Sequence, residues 1–320
     1  MGTALARSTV VGATDRLEDF LEGAGAGSAA GERLETIGLA IALPSIVVAV
    51  GLIAFILFVH KQGSPGDRLL LRHALAVCGL LALVGGLVEI IGTVTVSGGT
   101  WLSDLSTTTR APLARLSAGV LMTVGFLAIS PRDAERWRVT GRTTFGVIGA
   151  TFGALSFASD GHTVTEGNQV IHAALDVVHV LTAGVWMGGV VGLFLMLWRR
   201  RRRRETNSLA PTVVRFSTVA TLAIVSVAAA GVGMSFLIVD SIGDYFTTEW
   251  GRWLLVKVGL VVGAAAIGAH NHYVVTPALE TDPSDAKMLS RVRTTISAEM
   301  VLLLVVTVVT VFLAEASVDQ

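Results

Sequence analysis

The sequence predicts an all-α membrane protein, a polytopic bundle of about eight transmembrane helices with both termini outside, and three observations carry that reading. The 320 residues are 52% hydrophobic and only 15% charged, with a mean hydropathy of +0.69, a composition that soluble domains do not show. The apolar residues fall in runs too long for the core helices of a globular domain. The charges, which sum to zero, are segregated by loop rather than spread evenly. A neutral chain of this kind gives no ground for a nucleic-acid partner.

In chain order, residues 1–35 are polar with a GAGAGSAAG stretch and are expected to form a flexible extracytoplasmic tail. Eight apolar spans follow near residues 36–60, 69–96, 112–130, 143–159, 169–198, 212–239, 250–276 and 293–316. They divide into an N-terminal half over 36–160 and a second four-helix half over 161–316. The fourth span is short and rich in glycine. Alternate loops hold Lys61 and Arg68, then Arg132, Arg136, Arg138 and Arg142, then the six arginines 199–204, then Lys287 and Arg291. The loops between them carry Asp104, Asp160, Glu166, Asp240, Asp244 and Glu249, with little basic beyond Arg110. By the positive-inside rule the arginine-rich loops are cytoplasmic, in a bacterial cytoplasmic membrane, and the arginine run needs only anionic lipid beside it. The single Cys78 excludes an internal disulfide and any CxxC metal motif.

The fifth span, HAALDVVHVLTAGVWMGGVVGLFLMLW from His172 to Trp198, carries the chemistry. At 100° per residue His172, Asp176 and His179 lie within roughly 60° of one another, and Ala183, Trp186 and Val190 continue the stripe. Gly184, Gly188 and Gly192 recur on the opposite side, the small-residue spacing that lets another helix approach. One face is therefore expected to pack and the other to offer ligands.

Charges in hydrocarbon cost a few kcal/mol each and seek partners. Glu89 in span two, Asp176 in span five and Lys257 in span seven fall at similar depth, with Met234 slightly shallower. The expectation is one polar layer in the outer third of the bundle, and a second group, His60, His73, Arg215, His270 and His272, at the inner face. His172 and His179 stand roughly 10 Å apart along the axis, too far to chelate one ion alone, but each can share an ion with Asp176. Imidazole and carboxylate suit copper, zinc or nickel, and an adjacent methionine such as Met234 turns the choice toward copper. His162, in the outer segment SDGHT, is placed as an entry ligand. The bland alternative is that Asp176 only neutralises Lys257, with the histidines hydrogen-bonded to it.

The segment from Gly161 to Leu279 resembles the CopD family of bacterial copper-resistance membrane proteins. The resemblance rests on GH at Gly161 and His162, DVVHVLTAGVWMGG from Asp176 to Gly189, RFS at Arg215 to Ser217, and the pair Gly231 and Gly233. TTEWGRWLLVKVGL from Thr247 and GAHNHYVVTPAL from Gly268 complete it. It implies copper handling at the cytoplasmic membrane, eight helices, and functional positions at His162, Asp176, His179, Trp186 and Lys257. His272 departs from it, standing where the family tends to have arginine, and the first four spans match no motif.

The expected function is a copper-binding protein, not an enzyme, that moves copper inward with outer His, Asp and Met ligands and Glu89, Trp186 and Lys257 in support. An extracytoplasmic copper-binding protein would be its partner, beside the lipid bilayer. Two alternatives stand: a b-type haem electron-transfer protein using the inner histidines of three helices, and a non-transporting membrane subunit or metal sensor. No nucleotide loop, HExxH or nucleophile motif is present.

Overall fold

The computed structural model describes residues 2–60, 64–96, 107–127, 141–157, 169–203, 209–239 and 241–316, with side chains of the first helix from residue 28 onward. The long helices are α1 (Gly2–Ala54), α2 (Pro65–Val96), α3 (Thr107–Leu127), α4 (Gly141–Ser156), α5 (Gln169–Arg203) and α6 (Ala210–Ile238). The short α7 (Asp244–Thr247), α8 (Glu249–His270), the short α9 (Thr276–Thr281) and α10 (Ala286–Glu315) follow. Two π-helical turns, Phe55–Val59 and Asn271–Val275, extend α1 and α8. Such turns often mark functional positions within helices.

Local chemistry starts the helices where the sequence allows. Ser64 and Asp67 exchange hydrogen bonds, each backbone N–H donating to the other's side chain at 3.3 and 3.2 Å, a capping box ahead of α2. Thr248 Oγ1 accepts from Gly251 N at 3.0 Å to begin α8. Asp285 accepts from Lys287 N and Met288 N to begin α10.

Neighbouring helices alternate in direction. Gly31 faces Val96, Gly38 faces Glu89 and Gly85 faces Ala42, so α1 and α2 are antiparallel. The pairs Gly86 with Leu116 and Gly125 with Gly146 continue that alternation through α3 and α4. In contrast, Gly184 lies on Val47, Gly188 on Gly51 and Gly192 on Phe55, which makes α5 parallel to α1. The expected glycine seam of α5 therefore exists, and its partner is α1. A Cβ at Gly188 would stand 2.5 Å from Gly51 Cα, so only the absence of side chains permits this approach.

Among the described residues six helices, 28–59, 65–96, 170–203, 210–238, 249–281 and 286–314, are long and apolar enough to cross a membrane. The expectation of eight is thus not met by length and composition. α3 is a 21-residue helix interrupted by polar residues, and α4 has 16 residues, about 24 Å of rise against a hydrocarbon core of about 30 Å. Both nonetheless pack in antiparallel sequence between α2 and α1. The tail expected over 1–35 also differs, since the helix begins at Gly2 and Gly31 already seats on α2.

The core joins α1, α2 and α5, with Ile46, Leu52, Phe55, Leu71, Val190 and Met196 buried. Outward faces are apolar, as at Leu80, Leu87 and Ile91 of α2 and Leu222, Val225 and Phe236 of α6, which is what lipid contact requires. The molecule is a multi-pass, all-α membrane protein. α8 packs along α10, where Trp253 stacks on Phe312 at 5.3 Å, but meets α6 at few residues. That loose junction leaves a cavity.

Candidate metal site

The first turns of α5 set the His179 ring against α6 and bring Asp176 and His179 within electrostatic reach of Lys257 on α8. His172 is buried, and its Nδ1 has no hydrogen-bond partner among the described residues. His179 Nδ1 lies 3.0 Å from the Val227 carbonyl of α6. A carbonyl only accepts, so this nitrogen carries the proton and Nε2 keeps the lone pair a metal would need. The ring passes over Gly231, where a Cβ would come within 3.2 Å of Cε1, and Leu175 passes over Gly233. The glycine pair on α6 thus makes room for two α5 side chains. Lys257 of α8 is in electrostatic contact with both Asp176 and His179. Met234, half-buried, lies three residues beyond Gly231.

This arrangement does not close into a cage. Among the described residues no three His, Cys, Asp or Glu side chains come close enough to hold one ion. His162 lies outside the described residues. What the geometry supplies is one oriented imidazole and one carboxylate, with one lysine in electrostatic reach of both.

The expected single polar layer separates into two. Glu89 does not join the α5 group, because Arg115 of α3 takes its carboxylate: Arg115 Nε donates to Glu89 Oε2 at 3.0 Å and a terminal nitrogen donates to Oε1. The Phe157 ring covers the guanidinium, 5.2 Å from centroid to Cζ. Arg115 is not among the residues expected above, although a lone arginine inside an apolar span is the signal that finds it.

Trp186 reaches across to α10. Its indole is buried and donates from Nε1 to Glu299 Oε1 of α10 at 2.7 Å. Val190 is fully buried as well, so the ligand face of α5 ends before Trp186 and the rest of the stripe is core. Glu299 is likewise outside the expected set, though it is a carboxylate beside a long apolar run.

At the arginine-rich end, Asp67 is wholly buried and receives Arg199 at 2.7 Å and Arg200 at 2.6 Å. Two members of the run read as lipid-facing therefore tie α5 to α2. The four histidines of this end have separate settings. His60 is buried and stacked on Phe55 at 6.2 Å, and burial holds it below the usual imidazole value, with Asp67 opposing and Arg200 and Arg68 adding to the shift. His73 is exposed and His270 half-buried. His272, on the π turn, shares a 2.7 Å hydrogen bond from Nδ1 with Ser217 Oγ of α6. Asn271 Oδ1 accepts from Thr295 at 2.7 Å and fixes that turn to α10.

Comparison with known proteins adds a family match over part of the chain. Residues 210–313 match the family model described as Copper resistance protein D. The copper transport protein CutJ of Bacillus subtilis is 26% identical over 249 residues, 74% of this chain and 46% of that protein. The inner membrane protein YebZ of Escherichia coli is 28% identical over 211 residues, 65% of this chain and 69% of that protein. The chain thus spans less than half the length of CutJ. No solved structure matches. The matched segment runs from the start of α6 into α10, so it holds Met234, Lys257, His270, His272 and Glu299, while His172, Asp176 and His179 precede it.

Proposed function

From a chain that carries a CopD-family segment over residues 210–313, and is by that a copper-related membrane protein, we propose inward movement of copper across a bacterial cytoplasmic membrane. The observation that carries the reading is His179. Its Nδ1 is committed to Val227 while Nε2 remains available, and Asp176 and Lys257 stand beside it. In this reading copper enters at the end away from the arginines, where His162, His172 and Met234 assist. His179 and Asp176 hold it in turn, and Lys257 serves as the cation that occupies Asp176 between ions. With a negative interior each positive charge moving inward gains about 2.3 kcal/mol per 100 mV, so the potential alone suffices as the driving force. The name of CutJ supports transport and the name of YebZ supports the inner membrane.

The test is copper content of the purified protein, with copper(I) under reductant and copper(II) without. Asp176→Asn should lower bound copper and His179→Ala should lower it further. The double variant Asp176→Asn with Lys257→Met should restore stability without restoring copper, because a stranded buried charge costs about 3 to 5 kcal/mol and its removal relieves that cost. Full copper retention in Asp176→Asn with His179→Ala overturns the site. A Soret band that disappears with His60 or His270 would favour the haem reading instead.

A further inference from the structure

The cavity between α6, α8 and α10 measures about 240 Å³ and is lined by Ser217, Ile224, Gly268, His272, Thr276 and Glu299 among others. Glu299 lies near the middle of the 30-residue α10 and is 2% exposed. An anionic carboxylate at that depth is costly unless a cation accompanies it. Among the described residues no lysine, arginine or histidine forms an ion pair with it, and its one hydrogen bond is from the neutral Trp186 indole to Oε1. The surroundings leave space for an ion. A Cβ at Gly268 would sit 3.5 Å from Oε1 and 3.7 Å from Ile224 Cδ1, so glycine keeps that side clear. Thr276 lines the same cavity, more than nine-tenths buried, and its hydroxyl has no hydrogen-bond partner. Further along, the Ser217 bond to Nδ1 orients His272 and leaves Nε2 for another interaction.

We propose that this cavity is a second cation station, with the Glu299 carboxylate as its charged ligand, the Thr276 hydroxyl as a neutral one and His272 as the imidazole at its arginine-rich end. The inference rests on the copper reading above and names the copper ion as occupant. Trp186 lies seven residues beyond His179 on α5, about 10 Å along the axis. An ion leaving the first group therefore finds its next anion across that short step. Trp186 holds Glu299 while the station is empty. Carboxylate, hydroxyl and imidazole donors suit copper(II) among the available states.

The experiment titrates copper(II) into purified full-length protein and follows bound metal and tryptophan fluorescence together. The parent should hold two coppers per chain, and filling of the second should quench Trp186, a share of the signal absent from Trp186→Phe. Glu299→Gln keeps the shape and an acceptor for the indole, and should hold one copper with that quench gone. His179→Ala should lose the other copper and keep the quench. Thr276→Val is nearly isosteric and removes an unpartnered hydroxyl, so it should fold at least as stably yet bind the second copper about tenfold more weakly. It carries the test if Glu299→Gln fails to assemble. Equal copper and equal quenching in the parent, Glu299→Gln and Thr276→Val overturn the second station. A single copper that vanishes only with His179→Ala overturns it while sparing the first site, and a parent that holds no copper ends both.

Discussion

Glu89 of α2 and Arg115 of α3 form a side-on ion pair that is nearly inaccessible to solvent, roofed by the Phe157 ring. The pair fastens the N-terminal helices to one another and lies apart from the residues around His179. Removing one charge strands the other in low dielectric. Glu89→Gln or Arg115→Met alone should therefore cost about 3 to 5 kcal/mol, and the two together much less. Copper bound by the double variant should equal that of the parent. A loss of copper with intact stability would return Glu89 to the metal site.

The glycine contact between α1 and α5 gives a sharp contrast in packing. Gly188→Leu drives a side chain into the backbone of Gly51, and overpacking of this kind typically costs about 1 to 3 kcal/mol. Gly259 on α8 has nothing within 4 Å of an added Cβ. Gly259→Ala should be neutral or stabilising by up to about 1 kcal/mol through helix propensity. Thermal unfolding in one detergent checks both, and equal melting temperatures for the two variants would refute the seam.

His60 makes stability depend on pH. Burial lowers its value in the folded protein below the ordinary 6.5, so the unfolded chain binds the proton more readily. The neutral ring's contribution is fully present above pH 6.5 and is lost as pH falls below it toward the folded value. Asp67 raises the folded value, whereas Arg200 and Arg68 lower it. His60→Phe keeps a ring against Phe55 and should flatten the melting-temperature profile between about pH 7 and pH 5. An unchanged slope would show that His60 is not its source.

Orientation is checked by labelling. Ser241 follows α6 and Ser284 precedes α10, both are exposed, and they lie at opposite ends of the bundle. With the arginine-rich end in the cytoplasm, Ser241→Cys should react with an impermeant thiol reagent in intact cells and Ser284→Cys should not. The native Cys78 is buried and adds little background. The reverse pattern would invert the direction proposed for copper.

The sequence by itself determined the class of this protein, because hydrocarbon demands long apolar helices whatever their arrangement, and such runs are visible in one dimension. It also determined the close-contact face of α5, since the spacing of Gly184, Gly188 and Gly192 follows from helix geometry alone. Depth along a helix is legible too, and Asp176 and His179 lie within electrostatic reach of Lys257 on the facing helix. What only the tertiary structure decided was partnership across helices. Glu89 and Asp176 share a depth, yet one faces Arg115 and the other Lys257, because azimuth and neighbour order are not written in a single span. Trp186 lies on the same stripe as His179 but belongs to Glu299, since α10 crosses α5 at that level. The cavity is the least legible feature: it exists because α6 and α8 do not meet closely, and an absent contact leaves no mark in the order of residues.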